Sequence, residues 1–241
     1  MTAIVLQARL DSTRLPAKSL LPLGGAPLIF RVMEALYRVP CDLRVLACPD
    51  DCVSHFSPWA DKAGFLLSPG SKDDVLNRYC DAIRRFSIDR VIRATGDNPF
   101  VFADAAALIN REAIENNADY AGYLRLPYGA GVESVNAGAL LRAEKNAANP
   151  PEREHVCPYL YNHPELFNLH RPEAPAEWRE NSLRITVDTP ADYDRARCLY
   201  DALPQSEDRY QGKFIIEVYK KLFFPGQEET AGGFAASGRL G

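Results

Sequence analysis

Short apolar runs alternate with longer segments of helical periodicity in the first half of the chain. The apolar runs predict four strands, AIVLQ, DLRVLAC, GFLLS and DRVIRAT. After each of them, apolar residues recur three or four positions apart and predict helices at PLIFRVMEALYRV, PDDCVSHFSPWADKAG, SKDDVLNRYCDAIRRF and ADAAALINREAIENN. Asp50 or Asp51 is the expected N-cap of the second helix, and Pro58 is expected to interrupt it.

This order of strands and helices predicts an α/β fold with a mostly parallel sheet and helices on both faces. Right-handed crossovers bring the carboxyl ends of parallel strands to one edge of the sheet, and open sheets bind ligands at that edge. We therefore expect the loop after the first strand (residues 8–18) and the turn after the fourth (residues 95–99) to face the same crevice.

Beyond Asp119 the pattern is less regular and predicts a mixed region. Strands are expected at ADYAGY, GVESVN, LFNLHR and SLRITVD, and helices at NAGALLRAEKNA, PPEREHVCPYLYNH and TPADYDRARCLYDAL. Asp188 or Thr189 is the expected N-cap of the last helix. No linker divides the chain, so residues 1–224 are expected to form one domain. Residues 225–241, rich in Gly, Ala and Ser, are expected to form a flexible tail.

Composition narrows the class of protein. The 241 residues carry a formal net charge of -4. This acidic balance does not favour nucleic-acid binding, which is typical of chains with a basic overall charge. No apolar run approaches the roughly 20 residues of a membrane span, and the N-terminal run is too short for a secretory signal. The six cysteines form no C-x-x-C pair, and the scattered histidines disfavour a zinc site at Cys48, Cys52 and His55. We expect a cytoplasmic protein with free thiols.

The loop after the first strand concentrates cations in an acidic chain. It contains Arg9, Arg14 and Lys18, with Ser12 and Thr13 between them. It lacks the glycine spacing of a Walker A loop, so it would bind phosphates through guanidinium groups and a lysine charge rather than through backbone N–H groups. Three cations suit a multiply charged phosphate better than a carboxylate. The alternative is that all three are ordinary surface charges.

Two aspartates follow predicted strands. Asp97 lies in RATGDNP, where Gly96 permits a tight turn, and Asp188 lies in LRITVDTPADYD. Carboxylates at the carboxyl ends of strands would face the crevice, and beside a triphosphate they form the hard oxygen site that Mg²⁺ prefers. The alternatives are an Asx-type turn for Asp97 and a helix cap for Asp188.

Several motifs together resemble a known family. They are LQARLDSTRLPAKSLLPLGGAPLI, RATGDNPFV, LPYGAGVESVNAGAL, EREHVCPYLY and LRITVDTPADY. They resemble the spore-coat polysaccharide biosynthesis protein F family of cytidylyltransferases, relatives of the acylneuraminate and 3-deoxy-manno-octulosonate cytidylyltransferases. The resemblance runs from residue 2 to about residue 220. It implies a Rossmann-like nucleotide-diphospho-sugar transferase fold, CTP and a sugar as substrates, Mg²⁺ as cofactor, and a homodimer.

The resemblance also implies roles for individual residues. Arg14, Lys18 and Asp97 would be the catalytic residues. Asp97 and Asp188 would bind the metal. The nucleotide would be bound by Ala8, Arg9, Ser12, Arg14, Lys18, Asp74, Arg78, Arg93, Thr95 and Gly96. The sugar would be approached by Asn98, Tyr128, Glu133, Glu154 and His155. The octulosonate enzymes read QGDEP where this chain has TGDNP, so Asn98 replaces a carboxylate and the identity of the sugar stays open.

The reaction that this set of residues predicts is nucleotidyl transfer. A sugar hydroxyl would attack the α-phosphorus of CTP and pyrophosphate would leave, with the cations stabilising the developing charge. His155 would be either the general base or a residue that orients Glu154 and contacts the sugar. Two alternatives remain: a glycosyltransferase that uses a nucleotide sugar as donor, and a non-catalytic nucleotide-binding module.

Overall fold

The computed structural model describes residues 1–225, and strands and helices alternate along them. The strands are β1 (Thr2–Gln7), β2 (Pro22–Leu23), β3 (Ala26–Pro27), β4 (Leu43–Pro49), β5 (Leu66–Gly70), β6 (Arg90–Thr95), β7 (Tyr120–Ala121), β8 (Glu133–Asn136) and β9 (Leu169–His170). The helices are α1 (Leu28–Tyr37), α2 (Val53–Ala63), α3 (Val75–Phe86), α4 (Ala103–Glu115), α5 (Ala137–Asn146), α6 (Pro150–His155), α7 (Pro158–Asn162), α8 (Pro190–Ala202) and α9 (Gly212–Phe223).

One sheet organises the fold, with the strand order β5-β4-β1-β6-β8-β7-β9. The strands β5, β4, β1 and β6 are parallel. The strand β8 is antiparallel to both β6 and β7, and β7 is parallel to β9. The four strands expected from the first half of the chain therefore form the parallel part, and the later strands form the mixed part. The predicted α/β fold is confirmed.

Helices cover both faces of this sheet, as the alternation of side chains in a strand requires. Along β1, Ala3 and Val5 join the core formed with α3, α5 and α7. Ile4 and Leu6 join the core formed with α1, α2, α4, α8 and α9. All four side chains are fully buried. A strand that is apolar on both faces is therefore the sign of the central position that β1 occupies.

The expected interruption of α2 at Pro58 is wrong. The helix runs through this proline, which removes one backbone hydrogen bond, and it remains anchored by the fully buried Phe56 and Ala60. The expected cap is also wrong: Asp50 and Asp51 belong to a short 3-10 turn before α2, and neither side chain caps the helix.

The segment PPEREHVCPYLYNH forms two short helices rather than one. Between them Val156 has φ 73° and ψ -57°, and the N–H of Cys157 donates to the carbonyl of His155 at 2.9 Å. This is a γ-turn of the strained kind, and it separates the two helices, so that the second begins afresh at Pro158. Burial of the whole Val156 side chain offsets the strain.

The segment SLRITVD is not a strand of the sheet. It is extended but makes a single isolated bridge, between Arg184 and Tyr128. The N–H of Ile185 donates to the carbonyl of Tyr128 at 2.9 Å, and that of Val187 donates to the carbonyl of Asp97 at 2.8 Å. The segment thus satisfies its backbone against two loops, and this brings the end of the segment to the turn after β6.

Thr189, and not Asp188, is the N-cap of α8, within a capping box completed by Asp192. Apart from Pro225, the tail predicted at residues 225–241 lies outside the described residues. Within the described part of the chain, none of the helices has the length and apolar character of a bilayer span.

Candidate active site

A cavity of about 610 Å³ lies at the carboxyl ends of β1 and β6. The loop at residues 8–18 and the turn at residues 95–99 both line it, as expected. The predicted site residues that line it are Ala8, Arg9, Ser12, Arg14, Lys18, Arg78, Arg93, Thr95, Gly96, Asp97, Asn98, Tyr128, Glu133, Glu154, His155 and Asp188. The structure therefore brings together every predicted site residue except Asp74.

The centre of the cavity is a cluster of one lysine and two aspartates. The Lys18 Nζ lies 3.0 Å from Asp97 Oδ2 and 2.9 Å from Asp188 Oδ1, and it donates to the Val187 carbonyl at 2.9 Å. Arg14 Nη2 lies 3.2 Å from Asp188 Oδ1. The two halves of the chain meet here, because Lys18 and Asp97 come from the parallel half and Asp188 from the segment that crosses to it.

Local structure positions each member of this cluster. Lys18 begins a 3-10 turn directly after Ala17, whose φ of 50° is left-handed and redirects the loop towards the cavity. Asp97 Oδ1 accepts a hydrogen bond from Thr95 Oγ1 at 2.7 Å. The N–H of Gly96 donates to the carbonyl of Gln7 at 2.8 Å, which ties the turn to the end of β1.

Asp188 is held from the other side by the start of α8. Arg184 Nη2 donates to Asp188 Oδ2 at 2.6 Å, and Arg184 Nε donates to Asp192 Oδ1 at 3.1 Å. Asp192 Oδ2 also accepts from the N–H groups of Asp188 and Thr189 at 3.1 and 3.0 Å. Burial alone would raise the pKa of Asp192, but its hydrogen bonds with Arg184, Thr189 and Asp188 lower it to about 2. Asp192 is therefore ionised at neutral pH and holds the backbone of Asp188 in place.

Ion pairs connect the cationic loop to its neighbours. Arg9 Nη2 lies 3.5 Å from Glu154 Oε1, and Lys72 Nζ lies 2.9 Å from Asp11 Oδ2. The side chains of these pairs are roughly half exposed, so each pair contributes little to stability. They restrict where the loop lies rather than hold the fold together.

The other side of the cavity contains a buried ion pair. Arg93 on β6 donates to Glu133 on β8, whose Oε1 also accepts from the Tyr120 hydroxyl at 2.7 Å. Burial disfavours the charged form of Arg93, but the charge of Glu133 outweighs it and raises the pKa of Arg93 above its ordinary value. At the rim, the Arg184 guanidinium lies 4.8 Å above the ring of the exposed Tyr128.

Two of the predicted nucleotide-binding residues have structural partners of their own. Asp74 is the N-cap of α3, accepting from the N–H of Asn77 at 2.9 Å, and it also accepts from Arg153 Nε at 2.7 Å. These partners hold the Asp74 carboxylate outside the cavity, although the next residue, Val75, lines it. Arg78 is almost fully buried, donates to the carbonyl of Ser71 at 2.6 Å, and reaches the cavity wall. Burial lowers the pKa of Arg78.

The comparisons with known proteins agree with this geometry. A family model described as cytidylyltransferase matches residues 3–221. The chain belongs to the cytidylyltransferase family. It is therefore a CTP-dependent nucleotidyltransferase by family, and the predicted resemblance is confirmed.

Individual relatives align with most of the length of this cytidylyltransferase. It is 34% identical to the spore coat polysaccharide biosynthesis protein SpsF of Bacillus subtilis, over 85% of this chain and 88% of that protein. A cytidylyltransferase structure from Leptospira borgpetersenii superposes with a TM-score of 0.82 at 27% identity, covering 92% of this chain and 94% of the other. A CMP:2-keto-3-deoxy-manno-octonic acid synthetase complexed with CTP has a TM-score of 0.62 at 17% identity, covering 83% and 98%, and this likeness shows the shared fold.

Sequence reasoning missed several residues that shape the site of this cytidylyltransferase. Arg184 contacts Asp188, and Arg171, Tyr120 and Tyr123 line the cavity. Arg184 lies four residues before Asp188 in the sequence, but this spacing indicates a side-chain contact only in a helix. The segment is expected to be extended, so the contact could be recognised only from the structure. Gly129 was also missed. Its φ is 99°, and a Cβ there would lie 2.6 Å from the N atom of Thr186, so only glycine allows this approach.

Proposed function

We propose that this enzyme transfers CMP from CTP to a sugar hydroxyl and releases pyrophosphate. The observation that carries the proposal is the contact of Lys18 with both Asp97 and Asp188 in a cavity that Arg9 and Arg14 also line. Family membership supports cytidine as the nucleoside, and the similarity to SpsF supports a sugar destined for surface polysaccharide.

Charge in the cavity supports an anionic pair of substrates. Six arginine and lysine side chains line it against four carboxylates. We assign the triphosphate to the loop side chains Arg9, Ser12, Arg14 and Lys18, with Ala8, Arg78, Arg93, Thr95 and Gly96 around the nucleoside. Asp74, outside the cavity, would act on the nucleotide only through α3 and Arg78. Arg171 also lines the cavity and is not assigned to the nucleotide, so it is available to an acidic sugar.

The residues at the cluster fit Mg²⁺. Two carboxylates and the Val187 carbonyl already surround the ammonium of Lys18, and all three ligands are hard oxygen atoms. Asp97 and Asp188 would hold the metal. Bound there, Mg²⁺ supplies charge that polarises the α-phosphate and neutralises the departing pyrophosphate.

The reaction makes one P–O bond and breaks another. The sugar oxygen bonds to the α-phosphorus, the bond from that phosphorus to the bridging oxygen breaks, and the electron pair leaves with pyrophosphate. Arg14 and Lys18 bind the leaving group and stabilise its developing charge. The hydroxyl proton passes to His155 or to solvent.

The sugar is assigned to a wall of the cavity that meets the loop where Glu154 pairs with Arg9. Asn98, Tyr128, Glu133, Glu154 and His155 line the wall there. Glu133 is already paired with Arg93, so it would accept hydrogen bonds from sugar hydroxyls in a fixed orientation. A His155→Gln variant separates its two roles: retained turnover with an unchanged pH profile identifies a binder, and loss of an ionisation near neutral pH identifies a base.

We further propose that the enzyme acts in the cytoplasm, where CTP is made, and as a homodimer. The six free cysteines agree with a reducing compartment. Sedimentation at a series of concentrations would test the dimer.

The deciding experiment incubates the purified protein with Mg²⁺, each of the four nucleoside triphosphates, and a panel of acidic and deoxyamino sugars. We expect pyrophosphate release that needs CTP and one class of sugar, together with a CMP-sugar product. Release of a free nucleotide from a sugar nucleotide would instead identify a glycosyltransferase. Nucleotide binding without any turnover across the panel, and without tightening by Mg²⁺, would identify a binding module.

A further inference from the structure

The ammonium of Lys18 has a complete set of partners within the protein. A lysine has three N–H donors, and here they meet three acceptors at 2.9 to 3.0 Å, on Asp97, Val187 and Asp188. Only 14% of the Lys18 side chain is exposed. The ammonium therefore lies between the two carboxylates that are assigned to the metal.

No carboxylate oxygen of this pair lacks a donor within the described residues. Asp97 Oδ2 is bound by Lys18 and Oδ1 by the Thr95 hydroxyl. Asp188 Oδ1 is bound by Lys18 and Arg14, and Oδ2 by Arg184. Lys18 binds one oxygen of each aspartate, Asp97 Oδ2 and Asp188 Oδ1, so a divalent cation can bridge these two oxygens only if Lys18 first withdraws.

The charge balance points the same way. Lys18, Arg14 and Arg184 contact the two carboxylates, and Arg184 also pairs with Asp192, which Arg195 contacts in turn. Four positive charges therefore lie among three carboxylates. A further cation added to that arrangement meets repulsion, so the two aspartates do not present a free acidic site.

We propose, on the basis of the proposed function, that Lys18 is an internal counter-ion that excludes a divalent cation from Asp97 and Asp188 until nucleotide arrives. The incoming triphosphate draws Lys18 and Arg14 away from the carboxylates, and this opens the carboxylates to the cation. Arg14 is suited to that movement because 64% of its side chain is exposed. Metal and nucleotide then bind with strong mutual dependence, and by linkage each raises the affinity for the other equally.

The test measures Mn²⁺ binding to the full-length protein by calorimetry, without nucleotide. Lys18→Met keeps the length of the side chain and removes its charge. We expect it to bind Mn²⁺ about tenfold more tightly than the wild type, although the same substitution impairs catalysis. Lys72→Met is the matched control, since Lys72 belongs to a nearby loop but pairs with Asp11, and it should bind Mn²⁺ as the wild type does.

A second arm repeats the titration with CTP present. The wild type should gain Mn²⁺ affinity on addition of CTP, and Lys18→Met should gain much less, because its carboxylates are already open. Equal Mn²⁺ affinity of wild type and Lys18→Met without nucleotide would overturn the proposal. Weaker binding by the variant would overturn it as well.

A substitute variant and a binding measurement that does not depend on turnover keep the test decisive. If circular dichroism shows that Lys18→Met does not fold, Arg14→Gln replaces it, with an expected gain of about threefold in Mn²⁺ affinity, and no gain there contradicts the proposal. The first arm needs no turnover of CTP. Tighter Mn²⁺ binding by Lys18→Met combined with no pyrophosphate release by the wild type would therefore support the counter-ion and refute the nucleotidyl transfer. Pyrophosphate release by the wild type without tighter Mn²⁺ binding by the variant would do the reverse.

Discussion

The parallel half and the mixed half contribute to the same cavity in different ways. In the parallel half, strands of five to seven residues end at loops that carry Arg9, Lys18 and Asp97. In the mixed half β7 and β9 have two residues each, and Asp188 lies on a segment outside the sheet. The first arrangement depends on regular secondary structure. The second depends on individual hydrogen bonds to Tyr128 and Asp97, so it should be the more easily disrupted of the two.

The largest expected effect comes from neutralising one of two carboxylates in separate variants, Asp97 in the parallel half or Asp188 in the mixed half. Asp97→Asn and Asp188→Asn should each lower the rate of pyrophosphate release by roughly 10²–10³, about 3–4 kcal/mol, because both are proposed to hold the metal. Lys18→Ala should fall in the same range. Folding, followed by circular dichroism, should stay intact, and the exposed Asp194→Asn is the matched control with unchanged rate.

Comparable losses for Asp97→Asn and Asp188→Asn would show that both halves contribute equally to the chemistry. A wild-type rate in either purified variant would remove that residue from the mechanism.

The next effect concerns the support of the mixed half. Gly129→Ala should lower the free energy of unfolding by about 2–4 kcal/mol, because the new Cβ meets the backbone of Thr186 and φ is left-handed. Gly25→Ala is the control in the parallel half. Its φ is 81° but nothing lies within 4 Å of the added Cβ, so only about 1 kcal/mol is expected.

Urea unfolding measures the change in the free energy of unfolding of both variants. The rate of pyrophosphate release should fall in Gly129→Ala only. Equal destabilisation by the two substitutions would mean that the approach to Thr186 is not tight.

A smaller effect is expected in the pH dependence of the free energy of unfolding. The pKa of Asp192 is lowered to about 2, so the unfolded state binds its proton more readily than the folded state does. This aspartate therefore stabilises the fold above pH 4, by about 2 kcal/mol, and the contribution is lost as the pH falls from 4 towards 2.

The measurement is the free energy of unfolding of wild type and Asp192→Asn between pH 6 and pH 2. The difference between the two proteins should narrow below pH 4. A difference that stays constant over the whole range would contradict the shifted pKa.

The smallest effect is expected where the two halves touch at the surface. Glu154→Gln breaks the exposed pair with Arg9 and should change the free energy of unfolding by less than about 0.5 kcal/mol. If Glu154 contacts the sugar, KM for the sugar should rise about fivefold, or about 1 kcal/mol, while KM for CTP stays nearly the same. A change in KM for CTP alone would indicate that the residue acts through Arg9.

Sequence pattern predicted the parallel half better than the mixed half for a physical reason. The strand β1 is apolar on both faces, and helices such as α3 show their periodicity over twelve residues. The segment SLRITVD is also apolar and β-branched, but it lacks a neighbouring strand and bonds to loops instead. Likewise the strained turn at Val156 accompanies complete burial of that side chain, and nothing in the helical spacing before it indicates a break.

By itself, the sequence determined the alternation of strands and helices, the cationic loop and the two aspartates at the ends of their segments. These follow from periodicity and from residue type, which act over a few positions along the chain. Only the tertiary structure decided that Lys18 lies between Asp97 and Asp188, that Arg184 shares Asp188, and that Asp74 stays outside the cavity. Such contacts join residues about 80 to 170 positions apart in the case of Lys18, and no local preference can specify them.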